Sequence, residues 1–90
     1  MIRVRFTENR LTLLGHAGYA EKGQDVVCAA ASALVYALAG SLEAGGNVRE
    51  LVIRPGYATV AAQRDDPAFA VVRKGLEQLE GRYPGYVRVE

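Results

Sequence analysis

The chain contains one cysteine, Cys28, one histidine, His16, and no tryptophan. A lone thiol cannot staple the fold internally, so the expected setting is a reducing, cytoplasmic one. One His and one Cys also argue against a bound metal, because zinc-type centres recruit three or four such ligands. Charge of one sign is missing as well: 11 basic residues face 10 acidic ones, for a formal charge of +1. That balance argues against a partner bound by bulk electrostatics, so no direct contact with nucleic acid is expected. No window approaches ~20 unbroken apolar residues, and a membrane span is not expected either. The start carries no basic-then-apolar leader, since Ile2 to Phe6 already alternates like a strand.

What is present suits one small globular domain. Ninety residues with 50% hydrophobic and 23% charged content lie in the ordinary range for such domains. Ile2, Val4 and Phe6 alternate with Arg3, Arg5 and Thr7, the period-two pattern of a half-buried strand. Glu8-Asn9 is a tight turn, and Arg10 to Gly15 returns as a partner strand with Leu11, Leu13 and Leu14 as apolar fill. His16 to Gln24 shows no period and reads as a loop. Asp25 then caps a helix that runs to about Ala44 and stops at Gly45-Gly46. Val27, Ala31, Leu34, Leu38 and Leu42 mark its sheet-facing stripe. A second stripe, Ala29, Ala33, Ala37 and Gly40, is uniformly small, which predicts that another helix or a subunit covers this helix on a second side. Val48 to Arg54 and Tyr57 to Ala62 are strands joined at Pro55-Gly56, with Ala58, Val60 and Ala62 on one face. Asp66-Pro67 opens a second helix striped by Phe69, Val72, Leu76 and Leu79. Gly81 to Gly85 closes it, and Tyr86 to Val89 fits a short last strand. The order ββαββα, with a terminal β, predicts an α+β fold: a mostly antiparallel four- to five-stranded sheet with two helices packed on it.

Chemistry concentrates in Gly15-His16-Ala17 and Gly23-Gln24-Asp25-Val26-Val27-Cys28, with Ser32 one turn further on. This places a thiol in the first turn of a helix, where unpaired amides and the helix dipole favour an anion. Cys28 falls beside the buried stripe rather than at its centre, and Asp25 and Ser32 flank it. His16 ends the second strand, within reach of the sulfur if that strand lies next to the helix start. Thiol plus imidazole is the minimal equipment for acyl transfer, and backbone N–H groups at the helix start are the expected oxyanion donors. Plainer roles exist for each residue. Cys28 fits a small packed hydrophobe, His16 a strand-end surface group, and Ser32 a side chain bonding back to its helix. Gly15, Gly18 and Gly23 fit turns, and Asp25 fits a cap that either orients His16 or does not.

The run Gly15-His16-Ala17, Gly23, Asp25-Val26-Val27-Cys28-Ala29-Ala30 and Ser32 resembles the signature of the ribosomal-processing cysteine proteases, the Prp family. The twelve-residue step from His16 to Cys28 agrees with that family, and no motif position departs from it. The resemblance implies a single cysteine-protease domain over residues 1–90. It implies an endopeptidase that removes an N-terminal extension from a large-subunit ribosomal protein, the twenty-seventh in the standard series. It also implies a Cys28–His16 dyad supported by Asp25, Gly15 and Ser32. The loop containing Ala17, Gly18, Tyr19 and Gly23 would close over the substrate. A homodimer working without a cofactor is expected. Two other readings use the same residues: a non-catalytic dimeric module that binds a ribosomal protein, and a thiol redox switch, which finds no resolving thiol in the chain.

Overall fold

A computed structural model describes residues 1–90. The alternation in the first dozen residues produces β1 (Ile2–Thr7) and β2 (Arg10–Leu14), joined by a hairpin turn in which Asn9 takes the left-handed conformation (φ 58). α1 (Val26–Ala44), β3 (Val48–Arg54), β4 (Tyr57–Ala62), α2 (Ala68–Arg82) and β5 (Val87–Val89) follow. The five strands form one sheet in the order β3-β4-β2-β1-β5. Every pairing is antiparallel except that of β1 with β5. The expected α+β architecture is therefore present, with the terminal strand included.

Register decides which face is the core. Val4 lies opposite Leu13, Leu13 opposite Ala58, and Leu11 opposite Val60. These side chains and Ile2 are buried under the helices. Leu14 follows the same alternation to the opposite face and is 48% exposed, so the apolar fill of β2 is Leu11 and Leu13 alone. At the far end of the core Asn47 is buried and fully bonded. Its amide nitrogen donates to Arg64 O (3.0 Å), and its Oδ1 accepts from Gln63 N (3.1 Å) and Arg64 N (3.0 Å), tying the exit of α1 to the end of β4.

α1 presents Val27, Ala31, Val35, Leu38, Ala39 and Leu42 as its buried face. Leu34, expected in that stripe, is half-buried and faces α2 instead, where a Cβ on Gly75 would come within 2.9 Å of its Cδ2. Gly75 thus sets how closely the two helices approach. α2 begins at Ala68, where Asp66 Oδ1 accepts from Ala68 N at 2.9 Å and Pro67 already has helical dihedrals (φ −63, ψ −16). α2 covers α1 on the Leu34 flank, so the second covering predicted for the small stripe lies elsewhere: Ala29, Ala33, Ala37 and Gly40 are all exposed. At 19 residues and a mean hydropathy of 1.7, α1 is long and apolar enough to cross a bilayer by those measures, with Gly40, the serines and the alanines diluting rather than interrupting it. It is the core helix of this sheet.

The in/out register is open to measurement. Leu38→Ala should lower unfolding free energy by about 2–5 kcal/mol, read from the urea midpoint, whereas Leu14→Ala should change it by less than about 0.5 kcal/mol. Equal losses at the two positions would contradict this packing.

Candidate active site

The chain leaves β2 through Gly15, which has φ +91 and passes so close to the N-terminus that a Cβ would sit 2.5 Å from Met1 O. Only glycine satisfies both demands. Gly15 N donates to Gly56 O at 2.9 Å, joining this exit to the β3–β4 turn. His16 follows, and its imidazole rests on Gly56, where an added Cβ would lie 2.8 Å from Nε2. The turn Pro55-Gly56, which the sequence marks only as chain reversal, therefore seats the histidine. The pairing of Leu14 with Tyr57 brings the two together across forty residues, and no local signal announces it.

Asp25 organises the other side. Its Oδ1 accepts from Val27 N (3.0 Å) and Cys28 N (2.9 Å), capping α1 as expected. Its Oδ2 accepts from Tyr19 N (3.0 Å) and Ala20 N (3.3 Å), so one carboxylate holds both the helix start and the preceding loop. No hydrogen bond links it to His16, and the question left open by the sequence resolves toward capping and loop anchoring. The bond from Cys28 N does most to lower the Asp25 pKa. Partial desolvation opposes it, and the amides of Ala20, Tyr19 and Val27 add to it.

The loop is pinned over its first half. Ala17 is buried in the core, and the Tyr19 ring packs edge-on against Tyr83 (5.4 Å) and Tyr86 (5.2 Å) beyond α2. Gly18 and Gly23 both take positive φ, and residues 21–24 are exposed. The consequence for the thiol is direct: Ala17 N donates to Cys28 Sγ at 3.2 Å. Cys28 is half-buried and His16 exposed, and they line the same two cavities without a hydrogen bond between them. One cavity, of about 370 Å³, is walled by Ile2, Leu13, Val35, Tyr36, Ile53 and Tyr57 among others. The second, of about 710 Å³, lies between the loop and the start of α1 and includes Gly18, Gly23, Asp25 and Val26. Ser32 and Pro55 border both. Gly15, His16, Cys28 and Ser32 thus share one site, while Asp25 and Tyr19 build its frame. One expectation needs revision. Of the helix-start amides foreseen as oxyanion donors, those of Val27 and Cys28 are occupied by Asp25.

The site thus holds a half-buried thiol, bonded by a backbone amide and opening on two cavities that an imidazole also lines. The sequence profile of the family described as "Cysteine protease Prp" matches residues 1–88. The ribosomal processing cysteine protease Prp of Mycoplasma genitalium is 30% identical, covering 97% of this chain and 92% of its own. Its counterpart in Mycoplasma pneumoniae is 31% identical over 100% of this chain and 94% of its own. The crystal structure of Prp from S. aureus with a covalently linked product peptide superposes with a TM-score of 0.88 at 23% identity, covering 100% of this chain and 98% of that one. SMU.848 from Streptococcus mutans superposes with a TM-score of 0.81 at 26% identity, covering 100% and 92%. The chain is a cysteine peptidase, and it belongs to the ribosomal-processing cysteine protease family Prp.

The Asp25 contacts carry a pH signature. Because its native pKa lies below the ordinary 3.8, its bonds stabilise the fold above that value and are lost as pH falls through the lowered native one. Melting temperatures measured from pH 6 to pH 2 should therefore fall more steeply for the parent protein than for Asp25→Asn, with the difference arising below about pH 4. Parallel curves would remove Asp25 from this role.

Proposed function

We propose that the protein is an endopeptidase that uses Cys28 as nucleophile and His16 as its proton partner to remove an N-terminal extension from a large-subunit ribosomal protein, the twenty-seventh in the standard series. The observation that carries this reading is the bond from Ala17 N to Cys28 Sγ, with His16 lining the same two cavities. An amide aimed at sulfur fixes the position of the sulfur, and it lies beside the place where negative charge next develops. The cavities on either side of the thiol suit the two halves of an extended peptide, the apolar one taking hydrophobic side chains.

The chemistry proceeds in two stages. Imidazole takes the thiol proton, sulfur attacks the scissile carbonyl carbon, and the C–S bond forms as the carbonyl pair moves onto oxygen. Ala17 N–H, which already points at the sulfur, is the donor offered to that oxyanion, since Asp25 holds the amides of Val27 and Cys28. Collapse breaks the C–N bond while imidazolium protonates the leaving amine. Water, deprotonated by the same imidazole, then hydrolyses the thioester and returns the thiol. Neither stage asks for a cofactor. His16 makes no hydrogen bond to the sulfur in the free protein, in keeping with catalytic contacts that tighten only once substrate is bound. Two crystal structures of S. aureus Prp, with a covalently linked product peptide and with a substrate peptide, lend support by kinship.

Dimerisation belongs to the same reading. α1 is more apolar than its burial explains, with only 33% of its most hydrophobic window buried and Val26 (55%) and Tyr36 (60%) exposed beside the small stripe. A second copy laid along Ala29, Ala33, Ala37 and Gly40 would cover that face next to the site. The cytoplasm is the expected compartment, where Cys28 stays reduced.

Two measurements test these statements. With the extended ribosomal protein as substrate, Cys28→Ala should abolish cleavage and His16→Ala should slow it by roughly 10²–10⁴-fold, both retaining the parent's circular dichroism. Processing by Cys28→Ala at the parent rate would end the proposal. By light scattering the parent should have twice the chain mass, and Ala33→Glu, at an exposed position, should return it to 9.7 kDa.

A further inference from the structure

The outer face of the sheet carries no helix, and the register aligns its charges. Arg88 lies beside Arg3, Arg3 opposite Leu14, Leu14 opposite Tyr57, and Tyr57 opposite Arg54, making one cross-strand row over all five strands. With strands ~4.8 Å apart the row spans about 19 Å. Its three arginines are exposed and take part in no ion pair, while Arg54 lies over the Tyr57 ring at 5.0 Å. The next row offers Arg5, whose contact with Glu90 is long at 3.7 Å, and then Thr12, Thr59 and Val52. Only Arg10, bonded to Glu50 and Thr59 at the far end, is fully engaged. Both lysines, Lys22 and Lys74, lie elsewhere, in the loop and in α2. The helical layer is balanced, with Arg73, Lys74 and Arg82 against Glu43, Glu77 and Glu80, whereas the sheet's outer face sets Arg3, Arg5, Arg10, Arg54 and Arg88 against Glu50 and Glu90. A chain of net charge +1 therefore has one cationic face.

We propose that this open sheet face binds the backbone of single-stranded RNA, with Arg3, Arg88 and Arg54, the last carried on the Tyr57 ring, each on a phosphate. A second copy of the chain is a poor occupant, because two arginine rows would repel. Arginine forks engage phosphate through paired hydrogen bonds and stack on flat rings, so the exposed guanidinium groups suit a phosphate backbone with unpaired bases. The span suits the lower end of single-strand site sizes, about 4 nucleotides. The contact with a polyanion stands on the sheet alone. The choice of RNA rests on the reading above, since RNA accompanies a ribosomal protein. The binding assay involves no cleavage, so the two ideas can fail separately.

The probe is a fluorescein-labelled twelve-nucleotide oligouridylate, followed by anisotropy with the full chain. The parent should bind at 50 mM salt, and its affinity should fall roughly 18-fold by 200 mM, as three phosphate contacts on a single strand require. Arg3→Glu with Arg88→Glu should weaken binding about tenfold or more. The charge-matched Lys74→Glu with Arg82→Glu should leave it within about twofold. Amide shifts of the parent on titration should cluster on β1, β5 and the β3–β4 turn, a reading that survives even if the double variant misfolds. No binding at 50 mM salt, equal loss in both double variants, or shifts confined to the helices would overturn the proposal. So would tighter binding of an oligodeoxythymidylate, an acidic peptide or anionic phosphatidylserine vesicles through the same arginines.

Discussion

The site is organised by the two oxygens of one carboxylate. Asp25 Oδ1 takes the amides that begin α1, and Oδ2 takes the amides of Tyr19 and Ala20. Because both oxygens belong to one rigid group, the start of the helix and the preceding loop cannot move independently. That coupling holds Ala17 in the core and turns its N–H onto Cys28 Sγ. The same bonds withdraw two helix-start amides from any other anion, so a nucleophile at a helix N-terminus does not by itself imply an oxyanion hole there. The donors have to be found among amides that the cap leaves free.

The histidine is placed by a different kind of force, the exclusion of side chains. Gly15 passes the N-terminal strand where no Cβ fits, and Gly56 lies flat beneath the imidazole. The antiparallel pairing of β2 with β4 superimposes these two glycine positions. Thiol and imidazole thus arrive from separate constraints, a polar clamp on one side and close backbone approach on the other. Both open onto the same two cavities. Tyr19, wedged against Tyr83 and Tyr86, ties the clamp to the segment between α2 and β5, leaving residues 21–24 as the segment of the loop with fewest ties.

The layers also sort surface chemistry in ways that bulk composition conceals. The inner sheet face is aliphatic, the outer face mixes arginine and threonine with Leu14, Tyr57 and Val52, and the outward side of α1 is small and apolar. A net charge of +1 describes none of these surfaces. Averages over a chain exclude a partner only when the charges are evenly spread, and a sheet with one uncovered face spreads them unevenly by construction.

The amino-acid sequence by itself determined the elements and their order. Strand alternation, the Asp25 and Asp66 caps and the glycine stops act within windows of a few residues, and such short-range effects leave a readable pattern. It also singled out Gly15, His16, Asp25, Cys28 and Ser32, because they crowd into eighteen residues. Tertiary structure alone decided the direction of Leu34 and Leu14, the seat of His16 on Gly56, the arginine row and the second hold of Asp25 on the loop. Each of these depends on which strands pair, in which register, and on which helix flank meets its neighbour. Those choices minimise exposed apolar area over the whole molecule, and no stretch of chain records them locally.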